Sequence, residues 1–196
     1  MYASIWNWNR VAEAVRSLRG RQGFPNSDKF NFLGFELDLN SGKLKDQFFL
    51  KDRDDIAPNV YFVLYRYAQA KEEYPETGEL ITFRQVYGGD LYYTNYKNFV
   101  LDRLNKELSG KIEALKEACK ILGSTEVNIE GYDLANKIMV LPYVPVYVAI
   151  DLGGEEFPPL ISLFYDASIN NYFTAEETSH LSEILVIRLI ELSREL

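Results

Sequence analysis

The segment that most constrains the fold lies at the end of the chain. TAEETSHLSEILVIRLIELSREL (174–196) places Thr174 three residues before Glu177, the spacing of a reciprocal N-terminal capping box. Helical spacing then runs to about residue 193. Leu181, Ile184, Leu185, Ile187, Leu189, Ile190 and Leu192 cover more than one face of that helix. A surface helix keeps a single apolar stripe. This one is therefore either buried on all sides or half of an interface, and a homo-oligomer through the C-terminal helix is the second reading.

A buried helix needs layers around it, and strands supply them. In KFNFLGFELDL (29–39), Phe30 and Phe32 alternate, and then Phe35, Leu37 and Leu39 alternate in the opposite parity. A two-residue turn at Leu33-Gly34 pairs Phe32 with Phe35 and Phe30 with Leu37, so that all five side chains share one face. A bulge at Gly34 would also restore the parity. NSGK (40–43) turns the chain into a third strand over 44–50. Later strands are expected at 126–132, 138–152 and 160–165. Pro142 and Pro145 remove backbone donors, which puts the first half of 138–152 at an edge or a bulge. LGGEEFPP (152–159) joins the last two as a hairpin loop, with glycines for the bend and prolines that stiffen the return.

The remaining segments read as helices. Residues 4–19 carry Val11, Val15 and Leu18 on one stripe, with Gly20 as the stop. Residues 55–70 bury Ile56, Val60, Val63 and Tyr67; Asp54 or Asp55 is the expected cap and Pro58 sits in the first turn. Thr82 with Gln85 forms another capping box, for a short turn that ends at Gly88-Gly89. A long helical region spans about 94–122, with Ser109-Gly110 as a break point because glycine costs about 1 kcal/mol inside a helix. Strands cluster in two groups joined by short turns and do not alternate with helices. The expected class is α+β: a mainly antiparallel sheet built from an early meander and a late hairpin, packed on a long central helix and the C-terminal helix. The chain has 196 residues and shows no repeat or linker, so one domain over 1–196 is expected.

Composition excludes several functions. The net charge is −8, which repels phosphate backbones. The basic cluster Arg16, Arg19 and Arg21 lacks interleaved aromatics and reads as a solvated helix end, so no nucleic acid is expected. No stretch is apolar enough to span a bilayer, and the N-terminus lacks a secretory pattern. With one cysteine no internal disulfide forms, which suits a cytoplasmic location. One Cys and one His cannot assemble a self-contained Fe–S cluster or a Cys/His zinc site. No metal ligands are assigned, while a hard cation held by oxygens stays open. DRDD (52–55) reads as a helix start, Cys119 as a buried structural thiol, and His180 as a packing or surface residue. No phosphate-binding glycine loop occurs.

Two stretches carry site candidates. In YGGDLYYTNY (87–96), Gly88 and Gly89 permit positive φ or a close backbone approach, and Tyr92 and Tyr93 can flank a flat ligand. The bland alternative is a turn whose tyrosines cover the core edge. Phe157 of the hairpin loop completes the candidate ligand-binding set. For chemistry, the candidates are Asp166 at a strand end, Glu156, Asp90 and Tyr93, acting as acid, base or cation ligands. Glu155 and Glu156 are adjacent, so in extended chain they point to opposite sides and do not form an acid–base pair.

GGEEFPPLISLFYDASINNYFTAEE (153–177), TFRQVYGGDLYY (82–93) and FNFLGFELDL (30–39) resemble the motifs of the family catalogued as domain of unknown function 3786. The likeness runs from about residue 9 onward. It departs at Ile150-Asp151, where the family pattern has an aromatic residue. The resemblance implies a protein of anaerobic bacteria or archaea, similar to proteins joined to an iron–sulfur domain of corrinoid-enzyme type. On that basis the expectation is a non-catalytic binding or accessory module in iron–sulfur- or corrinoid-linked metabolism. Its partner would be a redox or corrinoid protein, and any cluster would belong to that partner. The alternative is an enzyme that uses its carboxylates and tyrosines, with or without a hard cation.

Overall fold

The computed structural model describes residues 5–154 and 157–196. Helix α1 (Trp8–Arg16) is capped by Asn7, which accepts from the Arg10 amide, and the expected start at residue 4 lies outside the described residues. Strands β1 (Lys29–Phe32), β2 (Phe35–Asp38) and β3 (Leu44–Asp46) form an antiparallel meander. Phe32 pairs with Phe35 and Phe30 with Leu37, as the parity reversal requires. Leu33 (φ 49) and Gly34 (φ 72) both occupy the left-handed region, as a type I′ turn demands. Glycine suits position 34, since its φ is left-handed and a Cβ there would displace the Phe48 ring, 2.0 Å away.

β3 ends at Asp46, short of residue 50. Its carboxylate accepts from the Phe48 and Phe49 amides and turns the chain away. Helix α2 (Ala57–Tyr67) follows. Neither aspartate caps it: the N-cap is Ile56, and Asp55 instead takes two hydrogen bonds from Arg53. The long helical region begins at Gly89 rather than Thr94. It runs as α3 (Gly89–Tyr96), a π-helical turn (Lys97–Leu101), α4 (Asp102–Leu108) and α5 (Ile112–Ile121), broken at residues 109–110 as glycine propensity predicts.

The second sheet contains β4 (Leu80–Ile81), β5 (Thr125–Glu126), β6 (Leu134–Leu141), β7 (Val144–Asp151) and β8 (Leu160–Asp166). Its order is β4-β8-β7-β6-β5, antiparallel throughout. The architecture is α+β, and the meander forms a sheet of its own. The β-type run 138–152 is itself a hairpin, turning at Pro142-Tyr143. Pro145 sits opposite Met139 beside a register shift, where a missing donor is tolerated. The strand expected over 126–132 shrinks to β5, because Tyr132 N bonds to Ile129 O and closes a turn instead. Leu160 pairs with Asp151, so 152–159 is a hairpin connection.

Helix α6 (Ala175–Arg194) carries the Thr174–Glu177 capping box. It packs against α2, α4 and α5, and Leu181, Ile184, Leu185, Leu189 and Ile190 are all buried. Burial within the chain accounts for these side chains. The meander is fastened to α6 by buried charge. Arg188 Nη1 donates to Asp46 Oδ2 at 2.7 Å, and Arg53 Nη1 reaches the same oxygen at 3.2 Å. The Arg188 guanidinium lies 3.8 Å from the Phe35 ring centroid, a desolvated cation on a π face.

Candidate functional site

The site grows from the turn that joins β4 to α3. Thr82 caps a single 3₁₀ turn (Phe83–Gln85), and its amide donates to Gln85 Oε1 at 2.8 Å. The chain then reverses through Gly88, whose φ of 81 is left-handed. Gly89 has to be glycine for a different reason: a Cβ would sit 2.1 Å from the Phe83 carbonyl oxygen. This close seat lays α3 directly on the 3₁₀ turn. The Phe83 and Tyr96 rings stack in parallel at 3.8 Å. Arg84 lies over the Tyr93 ring at 3.6 Å and donates from Nη1 to Asp90 Oδ1 at 2.8 Å.

Sheet pairing supplies the opposite wall. Leu80 and Ile81 pair with Asp166 and Tyr165, which brings the turn alongside β8. Tyr132 meets Phe164 edge-on at 5.4 Å. Between these walls lies a cleft of about 210 Å³ whose lining includes Arg84, Tyr93, Tyr96, Tyr132, Ser162 and Phe164. Behind it runs a chain of hydroxyls. Tyr165 and Tyr96 are 2.9 Å apart, Tyr165 lies 2.7 Å from Ser182 Oγ, and Ser182 donates to the Thr178 carbonyl. Burial pushes the Tyr165 phenol up to about 12 and that of Tyr96 well above its usual value. Both therefore stay neutral and tie α3, β8 and α6 together.

Of the sequence-derived ligand-binding residues, Gly88 and Gly89 shape the turn and Tyr93 lines the cleft. Tyr92 and Phe157 are surface residues outside its lining. Asp90 faces solvent and holds Arg84. Asp166 sits at the end of β8, fully buried. It accepts from Thr77 N, Thr77 Oγ1, Gly78 N and Ser168 N at 2.7–3.0 Å. Burial acts to raise its pKa, but those donors outweigh it and hold the carboxyl below its usual value. A carboxylate so engaged is a clamp, and it does not supply the raised-pKa acid that would support an enzyme reading. Glu156 lies outside the described residues. Asp90 and Tyr93 share Arg84, while Asp166 serves the loop before β4.

Arg84, Tyr96, Tyr132, Ser162 and Phe164 are not among the site candidates read from the sequence. Arg84 had a signal, since a capping box spanning residues 82–85 fixes how the side chains inside it project. Tyr132 lies in a loop and had none. Elsewhere, burial pushes the Cys119 thiol up to about 12. The His180 ring packs edge-on against Phe62 at 5.4 Å, with Nδ1 3.8 Å from Glu183 Oε2. Among the described residues, no group of three or more His, Cys, Asp or Glu side chains is placed to hold a metal ion. No helix among them is long and apolar enough to cross a membrane.

Comparison with curated proteins and with solved structures finds no match. The family model described as a domain of unknown function (DUF3786) matches residues 16–188, a span that takes in the meander, the cleft and most of α6, and the chain belongs to that family.

Proposed function

We propose that this chain is a non-catalytic binding module and that the cleft between α3 and β8 is its recognition site. The observation that carries the reading is a guanidinium stacked on Tyr93 beside a hollow otherwise walled largely by rings. Ligand sites are mostly apolar with a few polar anchors, and this one has that composition. Its volume of about 210 Å³ is smaller than the roughly 300–1,000 Å³ of sites for larger ligands. It suits one ring or one side chain. Asp166, the buried acid among the candidates, is already engaged by the 77–78 backbone.

The finer reading makes the chain a single-domain cytoplasmic accessory protein whose partner is a redox or corrinoid protein of anaerobic metabolism. Family resemblance supports that choice of partner. One cysteine and one histidine leave any cluster to the partner.

Ser162→Leu tests the site by filling the cleft from the strand side. Aromatic fragments detected by ligand-observed NMR with the native chain are expected to lose their signal in the variant, with the circular dichroism spectrum unchanged. Fragment signals that persist undiminished in the filled variant remove the cleft as the recognition site.

A further inference from the structure

We infer that the cleft recognises a planar aromatic ring carrying a carboxylate; this rests on the cleft being the binding site. The ring follows from the walls. Phe83 and Tyr96 already stack face to face at 3.8 Å, and Tyr132 and Phe164 meet edge-on at 5.4 Å. An edge-to-face arrangement like that of Tyr132 and Phe164 extends readily to one more ring. Ser162 is the small strand residue that leaves room for it.

The carboxylate follows from Arg84. One face of its guanidinium is taken by Tyr93, and its N–H edge stays open to an incoming group because the side chain is 55% exposed. Arginine has five N–H donors in a planar fork that matches a carboxylate two bonds at a time. The bond already made, from Nη1 to Asp90, joins side chains that are 55% and 76% exposed. Such a surface pair contributes little, so a ligand carboxylate can take its place. Asp90 is then a stand-in that keeps the fork aligned on Tyr93 until the ligand arrives. A phosphate dianion is the poorer fit, because the chain carries a net charge of −8 and the repulsion grows with ligand charge.

The same chemistry comes from two sources, a free aromatic acid or a chain that ends in an aromatic residue. Titrations followed by ¹H–¹⁵N correlation spectra separate them, using phenylacetate and the tripeptide Gly-Gly-Phe. Phenylacetamide and acetate serve as controls lacking the charge or the ring. Expected are saturating shifts at the amides of Arg84, Tyr93 and Ser162 with phenylacetate, Gly-Gly-Phe or both. Phenylacetamide should bind roughly tenfold more weakly, the worth of a charge-assisted hydrogen bond, and acetate should give no saturation. Arg84→Met keeps the stem over Tyr93 and should weaken the acid about tenfold while leaving the amide unchanged. If phenylacetamide binds as tightly as phenylacetate and Ser162→Leu abolishes both, the carboxylate assignment falls and the cleft remains a ring site. If none of the probes shifts the cleft amides, both the assignment and the binding reading fall.

Discussion

Asp166 accepts from Thr77, Gly78 and Ser168 at once and so joins the end of β8 to the turn before β4. Truncation would strand the amide of the buried Ser168 as well as remove charge-assisted bonds from Thr77 and Gly78. Asp166→Ala should therefore lose about 3 kcal/mol in urea denaturation. The pH sign follows from the folded carboxyl lying below its usual 3.8. Its contribution is complete above the unfolded value and is lost as pH falls through the folded one. Urea midpoints measured from neutral pH downward should fall less steeply for Asp166→Asn than for the native chain. A second contrast concerns the buried ion cluster. Removing Arg188 leaves Asp46 still bonded to Arg53 and to two amides. It also removes Nε and Nη2, which have no hydrogen-bond partner in the core. Removing Asp46 leaves Arg188 buried without that carboxylate. Asp46→Ala should cost about 4 kcal/mol and Arg188→Met about half as much. Equal losses in the two variants would contradict this account.

Among the elements, α3 is the one that places the cleft, and two glycines bracket the stretch of helix that contains it. A Cβ at Gly89 would collide with the Phe83 carbonyl at 2.1 Å, so the helix has to back away from the 3₁₀ turn. Gly89→Ala should destabilise by about 2–3 kcal/mol and separate Arg84 from Tyr93. At Gly110, between α4 and α5, a Cβ meets nothing within 4 Å. Gly110→Ala should stabilise by about 0.5 kcal/mol through the unfolded chain's lost freedom. Thermal unfolding of the two variants checks both signs. Opposite outcomes for one chemical change would show that Gly89 is set by a tertiary contact and Gly110 by propensity. The π-helical turn at Lys97–Leu101 belongs to the same story, because it lets one helical region change its facing between the cleft and α6.

For the molecule as a whole, the single cysteine is a reporter. Cys119 is fully buried on α5, which packs on α6, and its thiol is pushed up to about 12 by burial. Labelling with a thiol reagent at mildly alkaline pH should require opening of that packing. Its rate should track the open population and rise roughly 100-fold in Asp166→Ala if opening is global. Labelling of the native chain at the rate of an unfolded control would disprove the burial. At this scale the limits of legibility have a physical origin. The Leu33-Gly34 turn, both capping boxes, the break at residue 110 and the burial of α6 were all readable, because each depends on residues a few positions apart and on the period of a strand or helix. The aspartate cap at residues 54–55 and the strand at 126–132 failed because Arg53 and the Ile129–Tyr132 turn offered those groups better partners. The cleft lay beyond reach for a different reason. Its walls come from residues 84, 93, 132 and 162, and the sheet order β4-β8-β7-β6-β5 gathers them. Local periodicity thus determined which faces this chain must bury. Only the tertiary structure decided which distant segments bury them together, because strand pairing and core packing minimise exposed surface over the whole molecule and leave no periodic trace at any one position.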